Sequence, residues 1–370
     1  MRRIDADRLA ARLAARLAGD LEQHNIDGAS VAVWQEDRLI YSTHVGKAAE
    51  GTLYRLASMT KPVTAVAVLT LCDKGLLSLD DPLARYLPAF SHPCVLTDDG
   101  GCRPVEKTIT LRHLLSHTSG VASGLAWTRA TQVITAKDRA SMGAFVDFLA
   151  GQPLSFVPGE REEYSGIGAF SLLAAVVQKV SGQDFETFCR KEIFEPCRMT
   201  DTTYLPSREQ WARVIPMHGK KDGVSVVVPM HEGCVFENYP AENYLGGAGL
   251  VSSLEDYLRF ARMLLDGGVF EGRRVLAESL VREMATPQVS EDVQPGAQRW
   301  GLGVRVITRE GHTPIPKGTF GWSGAYGTHF WVNPVDRIAA VYLKNSAHDG
   351  GSGAITALTF EHDVADAMDV

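Results

Sequence analysis

From Val63 to Cys72 the chain runs through Val63, Ala65, Val66, Ala67, Val68, Leu69 and Leu71, apolar nearly all the way round a helix, and it stops at Asp73-Lys74-Gly75. A helix with no polar side has none to give to water, so the rest of the chain must close around it. Pro62 sits in its first turns, where a missing N–H costs little. Gly75 is a good C-terminal stop. At the head of the run stands Ser58-Met59-Thr60-Lys61. Helical residues three apart share a face, with Cβ atoms about 5–6 Å apart. A hydroxyl and a primary amine are thus brought together at the end of a buried element. Alone the pair is a weak signal, since a capping Ser and a solvated first-turn Lys read the same. The buried helix behind it changes the weighting. Desolvation there lowers the pKa of Lys61 and makes a neutral amine available as a base. Backbone N–H groups near Ser58 can hold a developing oxyanion.

A chain of 370 residues can bury such a helix, and the length suits two domains or one with a large insertion. A net charge of −7, with no basic cluster, argues against nucleic acid or an anionic membrane as the main partner. No apolar run approaches the roughly 18 residues of a membrane span. Leu9, Leu13, Leu17 and Leu21 recur every four residues among Asp5, Asp7, Arg8, Arg12, Arg16 and Asp20, which predicts an amphipathic helix and not a secretory signal. The expected location is cytoplasmic. The six cysteines (Cys72, Cys94, Cys102, Cys189, Cys197 and Cys234) form no Cys-x-x-Cys and read as reduced thiols, although Cys94 and Cys102 flank a polar loop and can come close. His-Glu-x-x-His and Gly-x-x-x-x-Gly-Lys-Ser/Thr are absent, so neither a zinc hydrolase nor an NTPase is expected, and neither metal nor cofactor. Gly-x-Ser-x-Gly is absent too, which leaves an α/β-hydrolase without its nucleophile elbow.

Along the chain, Ala29–Trp34 and Arg38–Val45 read as a hairpin. Helices are expected from Thr110 to Leu115, Ser141 to Ala150, Ile167 to Val180, Phe185 to Phe194, Leu254 to Leu265, Val275 to Met284 and Ala354 to Met368. Residues 203–245 read as irregular and Gly246–Val251 as a glycine-rich strand-like segment. Gly301–Thr308, Thr319–Trp322, Thr328–Val332 and Arg337–Leu343 are strands, the last two joined by a turn at Asn333-Pro334-Val335-Asp336. Strands at both ends with helices between predict an α+β fold. Its antiparallel sheet is flanked by helices, with residues 1–61 and 246–370 forming a sheet domain and 62–245 an inserted, mainly helical one. The cleft between the two is the natural pocket.

The ordered motifs resemble the serine β-lactamase and penicillin-binding-protein superfamily, on the branch of class C β-lactamases and family VIII carboxylesterases. They are Leu53 to Lys61, Leu111 to Gly120, Pro158-Gly159 followed by Tyr164-Ser165, Gly246 to Val251, and Gly321 to Gly327. The resemblance covers roughly residues 25 to 350 and implies a β-lactamase/transpeptidase-like fold. It further implies that Ser58 is the nucleophile of an acyl-enzyme and that Lys61 and Tyr164 form the base system. In that scheme Tyr164 takes the Ser58 proton while Lys61 favours its phenolate or shares the proton. The N–H groups of Ser58 and Ala325 are the implied oxyanion hole. Trp322, Ser323, Gly324 and His117 are the implied substrate-binding residues.

Two departures from the family pattern bear on specificity. Tyr164-Ser165-Gly166 lacks the Asn that usually follows, and Trp322-Ser323-Gly324 stands where a Lys-Thr-Gly is usual. Trp322 offers an apolar face in place of a cation. Both point toward a serine hydrolase acting on short to medium acyl esters with apolar acyl groups, with transfer to an alcohol or amine open to the same residues. A small-molecule ester or amide is then the expected partner. β-lactamase, D-aminopeptidase or D,D-peptidase action is the alternative, and a catalytically silent sensor the second.

Overall fold

Gly28–Gln35 (β1) and Arg38–Gly46 (β2) form the expected hairpin in a computed structural model, which describes residues 1–229, 234–236 and 239–369. β1 shows no polar alternation because both of its faces are covered, and every residue but Trp34 is buried. β2 lies at the sheet edge and is nowhere fully buried. The C-terminal third adds Gln298–Trp300 (β3), Arg305–Ile307 (β4), Phe320–Ser323 (β5), His329–Asn333 (β6) and Ile338–Leu343 (β7). Together they make an antiparallel seven-stranded sheet in the order β3-β4-β5-β6-β7-β1-β2. β7 pairs with β1 through Val31↔Tyr342 and Ala32↔Val341, so the two ends of the chain meet inside one sheet. The turn before β7 is closed by Asn333, whose Oδ1 accepts from the N–H groups of Val335 and Asp336.

Five helices frame the site: Ala6–Glu22 (α1), Thr60–Asp73 (α2), Gly168–Ser181 (α3), Leu254–Leu265 (α4) and Ile355–Asp366 (α5). On one face of the sheet, Leu9, Leu13 and Leu17 of α1 and Phe360 and Val364 of α5 pack with Val31, Val33 and Trp331. Each such Leu contributes roughly 1.5–3 kcal/mol on full burial, which fixes the polar face of α1 outward. On the other face α2, α3 and α4 join Ala32, Phe330, Val332 and Val341 in a second, larger apolar cluster. Every residue of α2 from Thr60 to Leu71 is buried, as its composition requires.

Several local expectations are corrected. Gly246–Ala248 is a turn, and only Val251–Ser252 is extended, paired with Tyr54–Arg55. A Cβ at Gly246 would lie 2.3 Å from the Phe170 carbonyl, so glycine serves close approach to α3 and not a strand. The strand expected over 301–308 is broken by a turn that Gly301 closes onto Val304, with Gly303 at φ +73°. Within 203–245 the structure forms a helix, Arg208–Arg213, and a hairpin of Met217–Lys221 with Val224–Val228; 230–233, 237 and 238 lie outside the described residues. Two further helices, for which the sequence reading gave no expectation, form at Gly124–Val133 and Ala136–Arg139. The helix expected from Val275 begins at Glu278. Among the described residues no helix is long and apolar enough to cross a membrane.

Candidate active site

The chain reaches Ser58 from the Tyr54–Arg55 strand through Leu56, whose N–H donates to the Leu250 carbonyl at 2.9 Å. Ala57 then adopts φ +46° and opens a 3₁₀ turn, Ala57–Met59, with α2 starting at Thr60. Ser58 therefore sits on a strained turn just ahead of the helix and not in its first turn. A left-handed alanine costs of order 1–3 kcal/mol and persists only where its surroundings hold it. Here the Leu56 carbonyl accepts from Thr328 Oγ1 at 2.9 Å, and the Met59 carbonyl accepts from Tyr257 OH at 2.7 Å. Thr60 Oγ1 accepts from the Leu250 N–H at 3.1 Å.

Lys61 is 0% exposed, and its Nζ lies 3.1 Å from Ser58 Oγ. The Nζ donates to the carbonyls of Gly166 at 2.6 Å and Gly247 at 2.9 Å. Burial pushes the amine pKa well down from its usual value. A neutral amine has two N–H donors and one lone pair. Nζ donates to Ser58 Oγ as well as to the two carbonyls, and the loss of one proton, which burial favours, frees a lone pair for the Ser58 hydroxyl. The glycine-rich turn thus supplies a backbone oxygen to the site, a role that residue types alone do not reveal.

Tyr164 OH donates to Ser58 Oγ at 2.7 Å and accepts from Trp322 Nε1 at 3.3 Å. Burial pushes its phenol up to about 12, against the opposing pull of those two bonds. Burial thus favours the protonated phenol of Tyr164 and the neutral amine of Lys61. Trp300, which sequence reasoning missed, stacks on Tyr164 with ring centres 5.7 Å apart and crosses Trp322 at 4.4 Å. Its Nε1 donates to Glu162 Oε1 at 2.6 Å. Only its position ahead of the break between β3 and β4 brings it here.

Two expected substrate-binding residues face elsewhere. His117 is 1% exposed; its Nδ1 accepts from the Ser165 N–H at 3.1 Å and its ring lies 4.6 Å from Tyr164. It braces the Tyr164 segment from behind. Ser323 is buried with its Oγ 2.8 Å from His329 Nδ1. His329 Nε2 lies 3.1 Å from Glu361 Oε1, which also accepts from Arg305 Nη2 at 2.5 Å. His329 is thus one member of a polar chain linking β4, β5, β6 and α5. Trp322 does reach the site, and Gly324 lies against the Leu56 carbonyl, where a Cβ would come within 2.2 Å. The next residue, Ala325, is exposed, and its N–H has no hydrogen-bond partner among the described residues.

A cavity of about 190 Å³ adjoins this cluster, walled by Trp300 and Trp322 and bordered by Glu162, Gln298, Arg299 and Arg305. A larger one, about 470 Å³, lies by Leu264, Val281 and Phe320 and touches none of the residues around Ser58. Among the described residues no group of three or more His, Cys, Asp or Glu is placed to hold a metal. Cys94 and Cys102 are free thiols on the short hairpin Cys94–Leu96 and Cys102–Pro104, and the Cys234 side chain lies outside the described residues.

A family model described as Beta-lactamase matches residues 9–360. The chain is 30% identical over 389 residues to esterase EstB of Burkholderia gladioli, covering 95% of this chain and 94% of that one. In fold it is similar to EstCE1, titled a hydrolase with promiscuous acyltransferase activity, with a TM-score of 0.80 at 23% identity and 98% of each chain covered. It is equally similar to simvastatin synthase LovD of Aspergillus terreus, with a TM-score of 0.80 at 20% identity and 97% of each chain covered.

Proposed function

The chain belongs to the beta-lactamase family, and from that premise we propose that it is a carboxylesterase cleaving short to medium acyl esters through an acyl-enzyme on Ser58. The observation that carries this reading is the Ser58 hydroxyl flanked by Lys61 Nζ at 3.1 Å and Tyr164 OH at 2.7 Å. As Ser58 Oγ attacks the ester carbonyl, its proton passes to Lys61 Nζ. The new oxyanion is held by the N–H groups of Ser58 and Ala325. When it collapses, the bond to the alcohol oxygen breaks and Tyr164 gives that oxygen its proton. The Lys61 ammonium then restores the proton to Tyr164. Water attacks the acyl-enzyme in the second half, with the same groups accepting its proton. An alcohol in place of water gives acyl transfer, and the names of EstB and EstCE1, an esterase and a hydrolase with promiscuous acyltransferase activity, support both outcomes for a chain of this fold.

The surroundings support esters over β-lactams and D-Ala peptides. A Cβ at Gly166 would meet nothing within 4 Å, so the position leaves open space beside Lys61 where family members that bind amides carry an Asn. Trp322 uses its N–H on Tyr164 and offers a ring, not a cation, beside Ser323. A fluorophosphonate should label the protein at Ser58, and p-nitrophenyl esters of rising chain length should be turned over while nitrocefin is not. Ser58→Ala should abolish labelling and turnover. Full turnover by that variant sinks the proposal.

A further inference from the structure

The cavity behind the paired tryptophans has more hydrogen-bond donors than the protein itself uses. Arg305 is 5% exposed, and among the described residues its one side-chain hydrogen bond runs from Nη2 to Glu361. A guanidinium carries five N–H donors, so most of this buried group faces no acceptor. Arg299 Nε is buried without a partner, and the Nη2 of that residue lies 3.6 Å from Glu291. Both arginines border the cavity. Buried donors left unpaired are costly, and a planar guanidinium is matched by a planar oxyanion.

Resting on the esterase reading above, we propose that this cavity holds the alcohol half of the substrate and selects short alcohols that carry a carboxylate. The position follows from Tyr164, which returns a proton to the departing oxygen. Its OH is bonded by Trp322 and its ring is stacked by Trp300, and those two side chains are the cavity wall. A group leaving toward Tyr164 leaves toward them. The size follows from the volume: about 190 Å³ is below the ~300–1,000 Å³ of pockets for drug-sized ligands.

The charge balance agrees. Glu361 neutralises Arg305 and is fixed in that role by His329, which in turn is fixed by Ser323. Glu162 is the one carboxylate bordering the cavity, and it is engaged by Trp300 Nε1. Burial, with Glu163 nearby, pushes its carboxyl up toward the neutral form. Arg299 faces only the long contact to Glu291, and its charge is the one left for a ligand. The carboxylate preference thus comes from β3 and β4, while the Trp322-Ser323-Gly324 segment carries no cation.

Binding and turnover test this separately. In the Ser58→Ala protein, Trp300 and Trp322 fluorescence reports occupancy, with 3-hydroxybutyrate and 2-butanol as probes. The hydroxy acid should bind at least about tenfold more tightly, and Arg299→Gln should erase about tenfold of that preference. Arg299→Lys should restore part of it. In the wild type, the butyryl ester of 3-hydroxybutyrate should be cleaved with a kcat/KM about tenfold above that of sec-butyl butyrate. Equal binding of the two probes, or a preference that survives Arg299→Gln, overturns the proposal. If neither ester is cleaved while the binding preference stands, the subsite is supported and it is the esterase reading that falls.

Discussion

Replacing Lys61 by Met tests the protonation state on which the mechanism depends. The side chain is 0% exposed, so Met fills nearly the same volume without a titratable group. The Gly166 and Gly247 carbonyls lose their donor, which costs about 1–3 kcal/mol each, offset by no longer burying an amine. The sharper signature is in pH. An unfolded lysine titrates near 10.4, while burial holds Lys61 well below its usual value in the folded protein. Between the two values the unfolded chain binds a proton that the folded chain does not, so wild-type stability rises with pH. A full proton corresponds to about 1.4 kcal/mol per pH unit. Above neutral pH the stability difference, wild type minus Lys61→Met, should therefore rise with pH, by at most about 1.4 kcal/mol per pH unit. Cysteines and tyrosines titrate in both proteins and cancel. Urea unfolding at three pH values measures this, and esterase activity should fall about 10²–10⁴-fold in the variant. A difference that stays flat with pH would show Lys61 protonated in the fold, and the assignment of the resting base to its lone pair would be refuted.

Tyr164→Phe keeps the ring that stacks on Trp300 but removes the hydroxyl bonded to Ser58 and Trp322; kcat should drop about 10²–10⁴-fold with little change in KM, read by burst kinetics. Gly324→Ala puts a Cβ 2.2 Å from both the Leu56 carbonyl and Thr328 Oγ1. It should cost about 1–3 kcal/mol in thermal unfolding and lower kcat by displacing the Ala325 N–H. Burial alone would raise the Glu361 carboxyl, but His329 and Arg305 hold it at about 2. Its stabilising contribution is present above the unfolded value near 4.3 and is lost as pH falls toward 2, by roughly 3 kcal/mol. Glu361→Gln should remove that part of the acid slope in urea midpoints taken between pH 6 and 3.

The broad architecture was legible because it follows from local pattern. The leucine stripe of α1, the hairpin of β1 and β2, the strands β5 to β7 and the buried run of α2 each announce themselves through periodicity or composition. What failed was where a contact with a distant segment overrides the local signal. Gly246 and Gly247 read as strand-like, yet close approach to Phe170 bends them into a turn. Val224–Val228 was hidden in an apparently irregular stretch because its valines pair only with Met217–Lys221 and remain largely exposed.

The sequence by itself determined the chemical parts: a serine and a lysine one turn apart, a tyrosine on a later loop, and a glycine-rich strand end, in an order that fits one family. The tertiary structure alone decided how protons and charge are arranged among them. The pKa shifts of Lys61 and Tyr164 come first from burial, and the Gly166 and Gly247 carbonyls that accept from Lys61 lie 105 and 186 residues away from it. Ser323 turned inward to His329, and Trp300 and Arg305, paired across β3 and β4, came to border the site, because strand register sets which face each side chain takes. Burial and register are products of long-range packing, and no short window of sequence contains them.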